Sequence, residues 1–174
     1  MSPYSPRIGE IGLVKTTGIF ANIINIGTQS RWNHSIIYVG HRACDIDCVL
    51  YDCKGKIVEA NPKGVQLSQI EKYPLVAWSK YIHFTKTQGI HAADYAITLL
   101  GRPYNFFDIA QLAFRILGAK ILAKWFLQKL GKAEYGYICS ELTTECWCKA
   151  YISFIQKPAE LVSPGDQAEY FLYN

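Results

Sequence analysis

The chain carries six cysteines and four histidines, and one of each stands where its chemistry would be usable. In Tyr137-Ile-Cys139-Ser-Glu-Leu142 and the residues that follow, small thiols and apolar side chains recur at Cys139, Leu142, Cys146 and Ala150, one stripe of a helix. Glu141, Glu145 and Lys149 fall on another face, where Glu145 and Lys149 suit an i,i+4 pair. Cys139 therefore lies in a helix's first turn. The positive end of the helix dipole favours a thiolate there, and the thiolate is the nucleophile. The competing reading of Cys139 is a small buried hydrophobe, a common fate of cysteine.

A thiolate in catalysis needs a proton acceptor. His34 opens the strand-like run Asn33–Gly40 behind the loop Arg31-Trp-Asn33, which leaves its imidazole at the strand's mouth, on the face of Ile36 and Tyr38. His41 falls in a turn, His83 in mid-strand and His91 near a helix start, and each suits a structural imidazole. The third member must hold the ring in the right tautomer. Glu59, in Ile57-Val-Glu59-Ala-Asn61, is a carboxylate in an otherwise apolar strand. It is either turned inward and paired or solvated on an outer face. Asn61 is the reserve orienting residue.

The scaffold for these groups reads as strands first and helices after. Glu10–Lys15 suits a short strand and Gly18–Gly27 a short helix. Asn33–Gly40, Val49–Cys53, Ile57–Asn61, Val65–Leu67 and Lys80–Thr85 read as strands of an antiparallel sheet with five or six members, Lys54-Gly55 marking a turn. Helical spacing takes over at Gln88–Leu100 (stopped by Gly101-Arg-Pro103), Phe106–Leu117, Lys120–Leu130 and Cys139–Tyr151. This order predicts an α+β fold, not alternating βα units.

At 174 residues, half of them hydrophobic, 14% aromatic and 18% charged, the chain suits one domain over residues 1–174 with a substantial core. Disorder, a coiled coil and a collagen-like repeat are excluded. A net charge of +4 is too mild to argue for nucleic acid, so no nucleic-acid partner is expected. The opening MSPYSPR has no apolar stretch behind a basic start; no secretory signal is expected, and reduced thiols in a cytoplasm are the default.

Trp32-Asn-His34-Ser-Ile-Ile-Tyr-Val-Gly40, Ile57-Val-Glu59-Ala60 and Ile138-Cys139-Ser-Glu-Leu142, in that order, resemble the circularly permuted papain-like enzymes of the NlpC cell-wall hydrolase superfamily. The likeness is to its YiiX-like branch, with lecithin retinol acyltransferase more distant. Ile8-Gly-Glu-Ile-Gly12 is similar to the family's Gly-Asp-Ile start, Gly101-Arg-Pro-Tyr104 to its Gly-x-Pro-Tyr step and Ser163-Pro-Gly-Asp166 to its late Ser-Pro element. The resemblance implies a permuted papain-like fold with its nucleophile, Cys139, at a helix N-terminus. His34 would be general base and then acid, Glu59 the orienting group, and the backbone N–H of Cys139 a donor to the oxyanion. Tyr104 and Trp32 would line the cleft, with no cofactor and no metal.

The implied reaction is cleavage of an amide bond through a thioester, and the expected partner is a peptidoglycan peptide or another amide. Without an export signal such an enzyme is expected to be cytoplasmic on synthesis and to meet the wall after lysis or aboard a phage particle, beside other virion proteins. The alternative is a lipid-directed cysteine acyltransferase or acyl hydrolase, because a related permuted branch handles lipid acyl groups. A catalytically silent binding or structural protein on the same fold is the third reading. Two departures from the family pattern, the long helical stretch between Tyr104 and Cys139 and the lengthened connection Asp45–Cys53, bear on substrate more than on chemistry.

Two further clusters call for comment. His41, Cys44, Asp45, Asp47, Cys48, Asp52 and Cys53 lack the Cys-x2-Cys knuckles of structural zinc sites, even with Cys146-x-Cys148 added, so a hairpin with reduced thiols is expected. Residues 109–132 carry Arg115, Lys120, Lys124, Lys129 and Lys132 between apolar stripes, Ile109 to Leu117 and Ile121 to Phe126. Charges interrupt them too often for a transmembrane span. The expectation is a helical hairpin packed on the sheet, and the alternative is contact with an anionic membrane or wall polymer.

Overall fold

The computed structural model describes residues 4–40, 43–46, 49–79, 82–105 and 136–172. Its strands are β1 (Ile11–Val14), β2 (His34–Gly40), β3 (Ala43–Ile46), β4 (Val49–Asp52), β5 (Lys56–Asn61), β6 (Gly64–Gln69) and β7 (Ala77–Trp78). The described helices are α1 (Ile19–Thr28), α2 (Lys86–Thr98), α3 (Cys139–Lys149) and α4 (Pro164–Leu172). Five strands form one antiparallel sheet in the order β6-β5-β2-β1-β7, and β3 and β4 pair only with each other. The fold is α+β.

All seven residues of the central strand β2 are buried, which fits the apolar run Ile36–Val39 behind His34 and Ser35. On one sheet face, Ile11, Leu13, Ile37, Val39, Val58 and Ala60 meet Ala92, Ala93, Ala96 and Ile97 of α2 and Leu142, Cys146 and Trp147 of α3. On the other, Val14, Ile36, Tyr38 and Ile57 lie under Ile70, Tyr73, Val76 and Trp78. The helices thus cover one face and the segment after β6 covers the other.

Local chemistry sets the helix positions. At the start of α2, Thr85 Oγ1 accepts from Gln88 N–H at 3.2 Å while Gln88 Oε1 accepts from Thr85 N–H at 2.9 Å, a capping box. One turn later α2 meets the N-terminal segment backbone to backbone: a Cβ on Gly89 would stand 2.2 Å from Ile8 O, so only glycine fits. Trp147 fastens α3 to the same segment, its Nε1 donating to Gly9 O at 3.0 Å, with Phe84 and Phe154 edge-on to the ring at 4.7 and 5.1 Å.

Three expectations change. The described part of the expected strand Lys80–Thr85, residues 82–85, is not a strand: the edge strand is the short β7, Ser79 donates its N–H to Ile11 O, and Ile82 N–H bonds to Ser79 O at 3.1 Å. His83 therefore sits in the lead-in to α2 and not in mid-strand. Val49–Asp52 is a strand, but it belongs to the separate β3–β4 hairpin. Helix α4 goes beyond what the spacing predicts, although Ser163-Pro-Gly-Asp166 contains its cap: Ser163 Oγ accepts from Asp166 N–H at 3.1 Å, and Asp166 Oδ2 from Ser163 N–H at 2.9 Å.

Glu145 and Lys149 both engage Tyr95, Glu145 as acceptor from its hydroxyl at 2.7 Å and Lys149 above its ring. The predicted helices Phe106–Leu117 and Lys120–Leu130, and with them the basic stretch 109–132, lie outside the described residues, as do His41, Asp47 and Cys48. Among the described residues no helix is long and apolar enough to cross a membrane.

Candidate active site

The sheet register brings the first two groups together. Pairing of Ile37 with Val58 and of Tyr38 with Ile57 puts Glu59 on the sheet face of His34, diagonally across β2 and β5. His34 Nε2 lies 2.9 Å from Glu59 Oε2, and both side chains are buried. Cys139 arrives from the other layer as the first residue of α3. Its sulfur lies within electrostatic reach of the His34 ring and of the Ser35 and Ser140 backbone, and both side chains line one cleft. With Nε2 committed to Glu59, Nδ1 is the ring nitrogen left for sulfur.

α3 begins where two distant parts of the chain are joined. Tyr104 and Tyr137 form an isolated bridge, with Asn105 N–H on Tyr137 O at 3.2 Å and Tyr137 N–H on Pro103 O at 3.0 Å. Glu141 then accepts from the backbone N–H of Ile138 at 3.2 Å, which fixes the first turn that carries Cys139.

The electrostatics follow from these contacts. Burial pushes the Cys139 thiol up, but the charge and hydrogen bond of His34, together with the Ser35 and Ser140 backbone, outweigh it and hold the thiol below its ordinary value. Burial likewise opposes charge on His34, yet Cys139 and then Glu59 raise it to about 9. Each group thus favours the charged form of the other, the thiolate beside the imidazolium. Burial also opposes ionisation of Glu59, and bonds from His34, Lys72 and Ser68 hold its carboxyl well below the usual carboxylate range.

A cleft of about 450 Å³ opens onto the pair, lined on one side by Thr16, Thr17 and Gly18 and on the other by Asn61, Pro62 and Lys63. Asn33, next to His34, fixes the first rim: its Oδ1 accepts from Thr16 N–H and Oγ1 at 2.8 and 2.9 Å. Cys139, His34 and Tyr104 all line this cleft. The Tyr104 phenol is raised, first by burial and then by the negative charge on Cys139.

Two expected residues have other surroundings or partners. Trp32 is in the core, 5% exposed, and not among the residues lining the cleft; it belongs to the main hydrophobic cluster, with the Arg31 guanidinium 4.6 Å from the ring centre. Asn61 lines the cleft but serves the β5–β6 turn, its Oδ1 accepting from Lys63 N–H at 2.9 Å. The group on the imidazole is Glu59.

Several contributors carry no sequence motif. Glu59 Oε1 accepts from Ser68 Oγ and Lys72 Nζ, each at 2.5 Å, and Oε2 also accepts from Tyr73 Oη at 2.5 Å. Gln167 of α4, fully buried, accepts from Ser35 Oγ and donates to Ser140 O at 3.2 Å and to the hydroxyls of Thr143 and Thr144 at 2.9 and 3.1 Å. It ties the strand of His34 to the helix of Cys139. Its one signal is that a polar side chain occupies the apolar stripe Pro164, Gln167, Ala168, Phe171.

Among the described residues no group of three or more His, Cys, Asp or Glu side chains is placed to hold a metal ion. No protein-family model matches the chain, and no curated protein matches it.

Proposed function

We propose that the chain is a cysteine hydrolase that cleaves an amide bond, built on a permuted papain-like fold. The carrying observation is that Cys139 and His34 line one cleft of about 450 Å³ while Glu59 holds the ring at 2.9 Å. The ordered motif resemblance supports a link in bacterial peptidoglycan as the substrate.

In this reading the Cys139 thiolate attacks the carbonyl carbon, and the electron pair of the carbonyl moves onto oxygen. Backbone N–H groups at the start of α3 face the position of that oxyanion. As the tetrahedral adduct collapses, the C–N bond breaks and His34 gives its proton to the departing amine. Water then attacks the thioester, His34 takes its proton, and the thiolate leaves as the carboxylic acid forms. Glu59 keeps the ring aligned throughout and offsets its positive charge.

The apolar wall of Ala21, Ile24 and Ala60 favours a second reading, in which the thioester carries a lipid acyl group to another acceptor. Purified cell walls separate the two. New amino termini should appear with the wild-type protein and not with Cys139→Ala. Acyl transfer from a phospholipid, with no new amino termini, would move the assignment to the second reading, and a Cys139 inert to iodoacetamide would remove both.

A further inference from the structure

The carboxylate beside His34 holds more donors than the orientation of an imidazole requires. Besides His34, it takes Ser68 Oγ, Lys72 Nζ and Tyr73 Oη, each at 2.5 Å. All three come from one stretch: the end of β6, the 3₁₀ turn Ile70–Lys72 and the residue after it. That stretch is fixed independently of Glu59. Ile70 N–H bonds to Gly55 O and Tyr73 N–H to Ile70 O, each at 3.0 Å, and Ile70 and Tyr73 pack on Tyr38 and Ile57. The Tyr73 ring lies 5.9 Å from the His34 ring.

We infer that Lys72 is a positioning residue of the reaction, whose ammonium on Glu59 Oε1 holds the carboxylate as an anion and completes the charge balance of the buried site. This rests on the reading of Cys139 as the nucleophile. With the thiolate, the imidazolium and the carboxylate alone, the site carries one uncompensated negative charge away from water. Such a charge is costly, and the usual relief is uptake of a proton by the sulfur or the carboxylate. Either uptake would disarm the site. Lys72 supplies the missing positive charge while its side chain, 45% exposed at the cleft wall, keeps part of its hydration.

The titratable and charged groups around this ammonium are Glu59 from β5, His34 from β2, Cys139 from α3, and Tyr73 and Glu71 from its own stretch, with Lys63 and Tyr104 on the same cleft. An ion pair that merely staples the 3₁₀ turn would lower stability when broken and leave the thiol's titration unchanged. A positioning role moves the titration.

The test follows the rate of Cys139 carboxamidomethylation by iodoacetamide against pH, read by mass spectrometry of the peptide, so that no substrate is needed. In Lys72→Met the acid limb is expected to rise by roughly one pH unit, because thiolate and carboxylate both lose a nearby cation. Lys72→Gln, which retains a donor without the charge, should move the limb in the same way, and Lys72→Arg should restore it. Far-UV circular dichroism and Tm confirm that each variant is folded. A depressed wild-type limb that neither uncharged variant shifts overturns the role of Lys72 alone. A wild-type limb at the ordinary thiol value overturns the catalytic reading with it.

Discussion

Two buried cysteines on one face of α3 show how environment decides a thiol's fate. Cys146, 0% exposed, has burial as the largest influence and is pushed well above its ordinary value. Cys139, 2% exposed, has His34 beside it and is pulled below. Cys139 has an imidazole and two backbone contacts beside it, whereas Cys146 has the negative charge of Glu145 added to its burial. If that imidazole is the general base, Cys139→Ala and His34→Ala should each lower turnover by about 10⁴–10⁶-fold with unchanged circular dichroism. Glu59→Gln should cost one to two orders less, as loss of an orienting group does in other hydrolases. Wild-type rates in either of the first two would end the mechanism. The pH profile of kcat/KM should be a bell. Its acid limb should lie below the ordinary thiol range, because the reactive thiolate persists down to the lowered pKa. Its alkaline limb should fall as pH rises through about 9, where His34 loses the proton that the leaving amine needs.

At the scale of elements, the parts that carry chemistry were the most legible. β2 announces itself by a run of β-branched and aromatic residues, α3 by its buried stripe, and β5 by Glu59 standing alone among apolar neighbours. These signals are local, and so they survive in sequence. The edge strand was misplaced because Lys80–Thr85 has strand-like residue types, whereas pairing to β1 is made by Ala77 and Trp78, with Ser79 N–H on Ile11 O. Trp32 was misplaced for a related reason: an aromatic beside a histidine at a strand's mouth suits either a cleft or a core, and only packing decides. Gln167 was invisible because its role exists only when α4 docks across β2 and α3. That docking can be tested. Gln167→Leu leaves the buried Ser35 hydroxyl without this partner, while Thr143 keeps its bonds to Cys139 O and Ser140 O, at a cost of about 1–3 kcal/mol for the unsatisfied group. Tm should fall, and turnover should fall further than stability alone explains, because the distance from Cys139 to His34 is no longer pinned. An unchanged Tm would show that the glutamine is incidental.

At the scale of the molecule, residues from Ile11 to Phe171 share one hydrophobic cluster, so both halves of the chain depend on the same core. His34 and Cys139 come from opposite halves, and their meeting has no local cause that either segment could supply alone. The site should therefore be lost when the core melts and not before. Cysteine labelling in rising denaturant can follow this, because the thiols report from different depths: Cys148 is exposed, Cys139 lines the cleft, and Cys146 is sealed between α3 and the sheet. In native conditions Cys148 and Cys139 should label first, Cys139 with the faster rate because its thiol is held below the ordinary value. Cys146 should label only along the global unfolding curve measured by circular dichroism, with the same midpoint and slope. The enhanced reactivity of Cys139 should disappear at that midpoint, when its sulfur parts from His34. Two separated transitions, with Cys139 reverting to ordinary thiol reactivity while Cys146 stays protected, would instead mean that the layer carrying α3 can part from the His34 strand without unfolding, and the site would then be an assembly of two independently stable pieces.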